Sequence, residues 1–160
     1  MKKTTSVIIV GLFYVLLVWI YGGWVRDDRH TSIKAPQTAQ DGRTAEDRLI
    51  DALIAIESNG DDSAIGDGGL AVGCLQIHPI MVEDVNRILG LTAGHAHLKY
   101  TLDDRYDRSK SLNMCKTYLN HYCRDMDNES KARCWVGGPD GYKKESTEAY
   151  WLKVRKELGL

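Results

Sequence analysis

The stretch of sequence that decides the fold is AIESNGDDSAIGDGGLAVGCLQIHPIMVEDVNRI, residues 55–88. It continues a helix that is predicted to begin at Thr44, with Asp47 as its capping-box partner. The apolar positions of this helix recur at i, i+3 and i+4 spacing and form one stripe: Leu49, Ile50, Leu53 and Ile54. Glu57 continues that stripe, and the residues at 58–60, Ser-Asn-Gly, end the helix. The sequence therefore predicts a carboxylate in the last turn of a helix, on the face that packs into the core.

A glycine-rich segment follows this helix, with glycines at positions 66, 68, 69 and 73. Glycine at this density is typical of turns with positive φ, so the segment predicts a short β-hairpin rather than a helix. Pro79 suits the first position of the next helix, which is predicted to end at Gly90. A long loop is expected over residues 91–107.

Three further helices are predicted downstream. Asp107 is placed to cap the first of them, whose apolar stripe is Leu112, Cys115, Leu119 and Tyr122. A short helix is expected over Ser130–Trp135, before a Gly-Gly-Pro turn, and a last helix over about Thr147–Glu157. The expected fold class is mainly α, with one short glycine-rich hairpin.

The sequence resembles soluble lytic transglycosylase-type (SLT) domains of the goose-type lysozyme-like superfamily. The family's first motif, a Glu-Ser pair at the end of a helix, is matched by Glu57-Ser58. Its second motif, Gly-Leu-Met-Gln or a close variant, is matched by Gly-Cys-Leu-Gln at 73–76, and its aromatic-Asn pair aligns with Trp135-Val136. The resemblance spans roughly residues 44–158 and implies a lysozyme-like fold.

The resemblance implies an enzyme that cleaves the β-1,4 bond between N-acetylmuramic acid and N-acetylglucosamine in peptidoglycan. Glu57 would be the single general acid and base, and a carboxyl group on an apolar helix face has the raised pKa that a general acid needs. The structural alternative is a glutamate that turns to solvent at the helix end.

The other site residues are also implied by the resemblance. Gln76 would bind the glycan near the scissile bond, and Ser58 would support either Glu57 or the sugar. Trp135 would stack on a sugar ring. The structural alternatives are a polar strand residue for Gln76 and core packing for Trp135.

Val136 departs from the family pattern, because it stands where the family usually has Asn. Valine cannot form the side-chain hydrogen bond that orients the substrate. This departure favours a rival hypothesis, in which the protein keeps the fold and the groove but is a catalytically weak wall-binding or assembly protein.

Hydrolysis and transglycosylation differ in their need for a second carboxylate. Hydrolysis by inversion requires a base roughly 6.5–9.5 Å from the acid, with room for a water. Asp67 is the best candidate for this base, and it would make the protein a muramidase, a hydrolytic lysozyme. An Asp before two glycines is also typical of a turn. Without a base, the 6-hydroxyl of the muramic acid attacks internally and leaves a 1,6-anhydro end.

The N-terminus is predicted to be a membrane segment. Lys2 and Lys3 precede an uncharged run over 4–25, close to the length that a bilayer requires. We therefore expect a signal anchor over residues 1–25, a polar tether over 26–43 and the lysozyme-like domain over 44–160, with a cleaved signal peptide as the alternative. The domain would face the periplasm or another extracytoplasmic space, or lie on a virion membrane if the chain comes from a phage.

The net charge, the motifs and the cysteines limit the kinds of partner and cofactor that we expect. The net charge of −1 argues against a nucleic-acid partner, so peptidoglycan strands and a membrane are expected. The motifs predict no metal and no cofactor. Four cysteines lie in the part expected to be exported, where disulfides persist. Cys123–Cys134 with Cys74–Cys115 is one of two remaining pairings, and four buried thiols are the alternative.

Overall fold

The structure, a computed structural model, describes residues 42–160 except residues 93, 96 and 98. The membrane segment predicted at 1–25, and the tether up to residue 41, lie outside the described residues. Within the described part, none of the helices has the length and apolar character needed to span a membrane.

The described chain is mainly helical, as predicted. Its α-helices are α1 (Ala45–Ser58), α2 (Pro79–Leu91), α3 (Arg108–Tyr122), α4 (Asn128–Gly137) and α5 (Glu148–Glu157). Between α1 and α2 lies the expected hairpin of two antiparallel strands, β1 (Ile65–Gly66) and β2 (Ala71–Val72), with Ile65 opposite Val72. Arg43–Leu160 form one compact unit.

The first helix has the predicted bounds because both of its ends are capped. The Thr44 side chain accepts a hydrogen bond from the Asp47 backbone N–H, and the Asp47 carboxylate accepts one from the Thr44 backbone N–H. At the other end, Asn59 takes the left-handed conformation at φ 53°, which stops the helix. The predicted apolar stripe is buried in the core, so the last turn of α1 carries Glu57 toward the interior.

Three predicted boundaries need correction. The second helix runs past Gly90 to Leu91, because Gly90 does not take the left-handed conformation that would end it. The loop predicted at 91–107 contains a short 3₁₀ helix, Leu102–Tyr106. The fourth helix begins at Asn128, earlier than predicted, because the Asp127 side chain caps it by accepting from the Ser130 backbone N–H.

The segment after β2 is anchored in the core. Cys74, Leu75 and Ile77 are each 1% exposed and pack in the same hydrophobic cluster as α1. Gln76 lies between two of these buried residues and takes a left-handed φ of 48°. This alternation holds the Gln76 backbone in place while its side chain points away from the core cluster.

A buried arginine fastens the glycine-rich segment to the rest of the domain. Arg105, in the 3₁₀ helix, is 7% exposed, and its guanidinium donates to the backbone carbonyls of Leu70, Ile77 and Leu102. Ser111 of α3 in turn donates to the Arg105 carbonyl at 2.8 Å. Hydrogen bonds to a charged donor are the stronger kind, so this contact fixes the chain on both sides of β2.

All four cysteines are buried as free thiols. Burial raises the pKa of the Cys74 thiol to about 11 and that of the Cys123 thiol to about 12. Thiols with such pKa values are weak nucleophiles near neutral pH. The structure thus corresponds to the alternative of four buried thiols, and it assigns none of them to nucleophilic chemistry.

Gly73→Ala is expected to lower the free energy of unfolding by about 2–4 kcal/mol. Gly73 has φ +79°, and an added Cβ would lie 1.9 Å from the Arg105 carbonyl oxygen. Gly68→Ala is the matched control, since Gly68 also has positive φ (+63°) but no atom within 4 Å of the added Cβ. The control should lose only about 1 kcal/mol. Urea unfolding measures both, and equal losses would contradict the close approach at Gly73.

Candidate active site

A cavity of about 710 Å³ lies beside Glu57. Glu57 contributes to it from the last turn of α1, and the other walls come from the segment after β2, from α2 and from the end of α4. Its lining includes Gln76, His78, Asp84, Trp135 and Val136. The structure thus brings four predicted residues of the sequence motifs, at 57, 76, 135 and 136, to one cavity.

Glu57 is half-buried, and its carboxyl group is held by side chains from two other helices. The Tyr150 hydroxyl of α5 donates to Oε1 at 2.7 Å. Burial raises the pKa of Glu57 above its usual value, while the hydrogen bond from Tyr150 and the neighbouring Trp135 side chain lower it in part. The net shift is upward, so this carboxyl keeps its proton to a higher pH than an exposed glutamate does. A carboxyl in this state can donate a proton to a bound ligand.

Tyr150 is a site residue that the sequence reasoning did not identify. Burial, and then the neighbouring Glu57 charge, raise the pKa of its hydroxyl, so it stays a neutral donor. In α5, Tyr150 lies beside Trp151 and follows the helix face that also carries Val154, and both of these residues are buried. A tyrosine on an apolar face needs a partner for its hydroxyl, and this was the available signal.

Ser58 contacts backbone rather than the cavity. Its hydroxyl donates to the Cys74 carbonyl at 2.8 Å and accepts from the Gly60 backbone N–H at 3.2 Å. The described lining of the cavity does not include Ser58. Its contacts therefore join the end of α1 to the Gly-Cys-Leu-Gln segment and fix the distance between these two motifs.

The side chain of Gln76 is oriented by two hydrogen bonds. Its Nε2 donates to the carbonyls of Gly73, at 3.0 Å, and Ala64, at 3.3 Å. The side chain packs against Gly66, where an added Cβ would lie 2.3 Å from Oε1. Both amide hydrogens are thus committed to backbone, so Oε1 is the Gln76 atom that can accept a hydrogen bond from a ligand hydroxyl.

Trp135 and Val136 line the cavity in different ways. Trp135 is 8% exposed and meets Tyr118 edge to face, at 6.2 Å between ring centroids. Most of its ring therefore packs in the core, and little of it is open to a sugar. Val136 is 47% exposed, so it presents an apolar surface to the cavity at the position where the sequence lacks the expected Asn.

Asp67 lies in the 3₁₀ turn between the strands and outside the described lining of the cavity. Its backbone takes a left-handed φ of 47°, which agrees with the turn role, and its side chain is 65% exposed. Its Oδ2 lies 3.4 Å from Nε2 of His78, which does line the cavity. The candidate second carboxylate thus meets the cavity through a histidine that the sequence reasoning did not select.

A charged cluster on α2 forms another part of the cavity wall. The Asp84 carboxylate accepts from the Tyr122 hydroxyl at 2.9 Å and from Arg87 at 2.6 Å. Within the part of the chain that the structure describes, no group of three or more metal-ligating side chains is present.

Tyr150→Phe is expected to raise the pKa of Glu57 further. The hydroxyl favours the ionised carboxylate by donating to it, and the variant removes that donor while burial remains. An NMR titration of the Glu57 side-chain carboxyl carbon measures the shift. Tyr142→Phe, on the 3₁₀ helix Gly141–Lys143, is the control and should leave that titration unchanged. An unchanged or lowered Glu57 pKa in Tyr150→Phe would contradict the hydrogen bond.

The comparison with protein families gives one match, to the family described as Transglycosylase SLT domain, over residues 34–150. No curated protein and no solved structure gives a significant match. The matched range covers more than two thirds of the chain, and it includes Glu57, the Gly-Cys-Leu-Gln segment and Tyr150. The family acts on peptidoglycan as a glycosidase or transglycosylase, and this chain belongs to the transglycosylase SLT domain family.

Proposed function

We propose that this protein is a lytic transglycosylase that cleaves the β-1,4 bond between N-acetylmuramic acid and N-acetylglucosamine, with Glu57 as the single general acid and base. The observation that carries the proposal is the state of Glu57, a half-buried carboxyl group in a 710 Å³ cavity with a raised pKa and a neutral tyrosine donor. Such a group gives and takes one proton without a second carboxylate.

The proposed reaction has two proton transfers. Protonated Glu57 donates its proton to the glycosidic oxygen, and the bond from that oxygen to C1 of the muramic acid breaks. The 6-hydroxyl oxygen of the same sugar then bonds to C1, and its proton passes to the Glu57 carboxylate. The products are a free 4-hydroxyl on the leaving sugar and a 1,6-anhydro end, and Glu57 is protonated again.

Tyr150 and Trp135 stabilise the Glu57 carboxylate, the ionised form that exists between the two proton transfers. Tyr150 donates a hydrogen bond to the Glu57 carboxylate, Trp135 also lowers the Glu57 pKa, and a donor already in place stabilises a charge as it forms. In this proposal Trp135 acts mainly on Glu57, because only 8% of its surface is exposed for stacking on a sugar.

The other motif residues take supporting roles. Gln76 binds a sugar hydroxyl through Oε1, since its amide hydrogens are used by backbone carbonyls. Ser58 acts on the site indirectly by holding the Gly-Cys-Leu-Gln segment against the end of α1. Val136 and Ile80, which is 70% exposed, supply apolar surface for the methyl groups of the N-acetyl and lactyl substituents.

One observation favours the rival function, a wall-binding protein that does not cleave. Val136 offers no hydrogen bond where the family usually has Asn, so one contact that orients the substrate is missing. The cleaving and non-cleaving proteins would share the cavity and the substrate, and they differ only in whether bonds are broken.

Glu57→Gln is expected to lower the release of muropeptides from purified sacculi by about 10²- to 10⁴-fold, because glutamine carries no transferable proton. Mass spectrometry of the released fragments measures both the rate and the end groups, and an anhydro end is one water lighter than a reducing end. Glu157→Gln, at the end of α5, is the matched control and should digest sacculi at the wild-type rate. Equal digestion by Glu57→Gln would refute the assignment, and no digestion by the wild type would favour the non-cleaving rival.

The same variant should show a pH-dependent gain in stability. The folded-state pKa of Glu57 lies above its unfolded value, so the ionised carboxylate costs folding free energy as the pH rises through the folded pKa. Glutamine removes this cost, and the melting temperature of Glu57→Gln should exceed that of the wild type more at about pH 8 than at about pH 4. A difference that shrinks with rising pH would contradict the raised pKa.

The proposed location is the outer face of a membrane, with residues 1–25 as the anchor and 26–43 as the tether. Full-length protein should then sediment with membranes and stay there after carbonate extraction, whereas a chain that begins at Thr44 should not. Recovery of the full-length gene product in the soluble fraction, with a new N-terminus near residue 26, would replace the anchor by a cleaved signal peptide.

A further inference from the structure

Resting on the proposed function, we propose that His78, oriented by Asp67, activates a water molecule in the cavity, so that the enzyme releases part of its product by hydrolysis. The juxtaposition that carries this inference is a histidine in the same cavity as Glu57, with a carboxylate oxygen 3.4 Å from its Nε2.

The imidazole of His78 is not occupied by a structural role. His78 is the N-cap residue of α2, but its side chain makes no capping hydrogen bond, and the Met81 backbone N–H donates to the His78 carbonyl instead. The side chain is 40% exposed on the cavity side of the domain. A histidine at such a position can contact solvent and a bound ligand at the same time.

Asp67 lies beside one end of the His78 ring. Its Oδ2 lies 3.4 Å from Nε2, a separation that can shorten when a substrate closes the site. A carboxylate partner keeps the proton on Nε2 and leaves Nδ1 as the proton acceptor. Among the described residues, no hydrogen bond uses Nδ1. Asp67 is thus a positioning residue, and its left-handed backbone at the tip of the hairpin turns its carboxylate toward the ring.

The surface position of the pair speaks against a purely stabilising role. The side chains of His78 and Asp67 are 40% and 65% exposed, and ion pairs in such settings contribute at most about 1 kcal/mol. The pair is better placed to act on a ligand, because His78 lines the cavity that also holds Glu57.

The hydrolytic branch shares its first half with transglycosylation. Glu57 donates its proton to the glycosidic oxygen, and the bond to C1 breaks. The oxygen of a water molecule, instead of the 6-hydroxyl, then bonds to C1, and one water proton passes to Nδ1 of His78. The product is a reducing muramic end, and the proton on His78 returns to Glu57 through solvent. One water is consumed for each bond broken.

The test is the partition between reducing and anhydro ends in digests of purified sacculi. Borohydride reduces only the reducing ends, so mass spectrometry counts the two kinds in one sample. We expect the wild type to give both ends, His78→Gln to lower the reducing fraction about tenfold or more, and Asp67→Asn to lower it about threefold or more. The matched controls are His95→Gln and Asp125→Asn, both at exposed positions, which should keep the wild-type partition.

The ratio of reducing to anhydro ends distinguishes a failure of this inference from misfolding of a variant and from a failure of the proposed function. A variant that folds poorly loses both products in the same proportion, so its ratio is unchanged. Wild-type digests with anhydro ends alone, or a reducing fraction that survives in His78→Gln, would overturn the role of His78 while leaving lytic transglycosylation intact. An unchanged ratio in Asp67→Asn alone would overturn the positioning role of Asp67. A wild type that releases no fragments would refute the proposed function itself.

Discussion

The buried guanidinium of Arg105 is the constraint on which the geometry of the cavity depends. A buried cation needs hydrogen-bond acceptors, and here the backbone carbonyls of Leu70, Ile77 and Leu102 accept from its Nε and Nη1. Two of these carbonyls flank the Gly-Cys-Leu-Gln segment. The short hairpin has only two residues in each strand, too few to hold its own shape. The hydrogen bonds of Arg105 fix the backbone of this segment, which the short strands alone cannot do. They thereby position Gln76 and His78 relative to Glu57.

Local features of the chain could be predicted from sequence, because they depend on neighbours in sequence. The capping box at Thr44, the stripe on α1, the start of α2 at Pro79 and the cap at Asp107 all follow from side chains within four residues. The placement of Glu57 in a last turn on the core face followed from the same local pattern. The end of α2 could not be predicted in this way, because Gly90 can occupy either a helix or a left-handed turn.

Contacts between residues that are distant in sequence could not be predicted from the sequence patterns. The hydroxyl of Tyr150 reaches Glu57 only because α5 packs against α1, and nothing in the spacing of the last helix specifies that partner. Asp67 was selected by residue type, but a residue type does not determine where a carboxylate points. In the structure it meets the cavity through His78, whose N-cap position gave no sign of a functional role. The resemblance to the family supplied the remaining site residues, and the fold explains how Ser58 and Gln76 are held by backbone.

The hydrogen bond from Tyr150 to Glu57 joins residues that are 93 positions apart. During synthesis, α1 and Glu57 leave the ribosome long before α5 is made. The Glu57 carboxyl group lacks its hydrogen bond from Tyr150 until the last helix docks. Long-range contacts of this kind form late, since they require closure of most of the chain. A chain interrupted before α5 therefore has Glu57 at the end of α1 without its tyrosine donor, and this contact exists only in the finished domain.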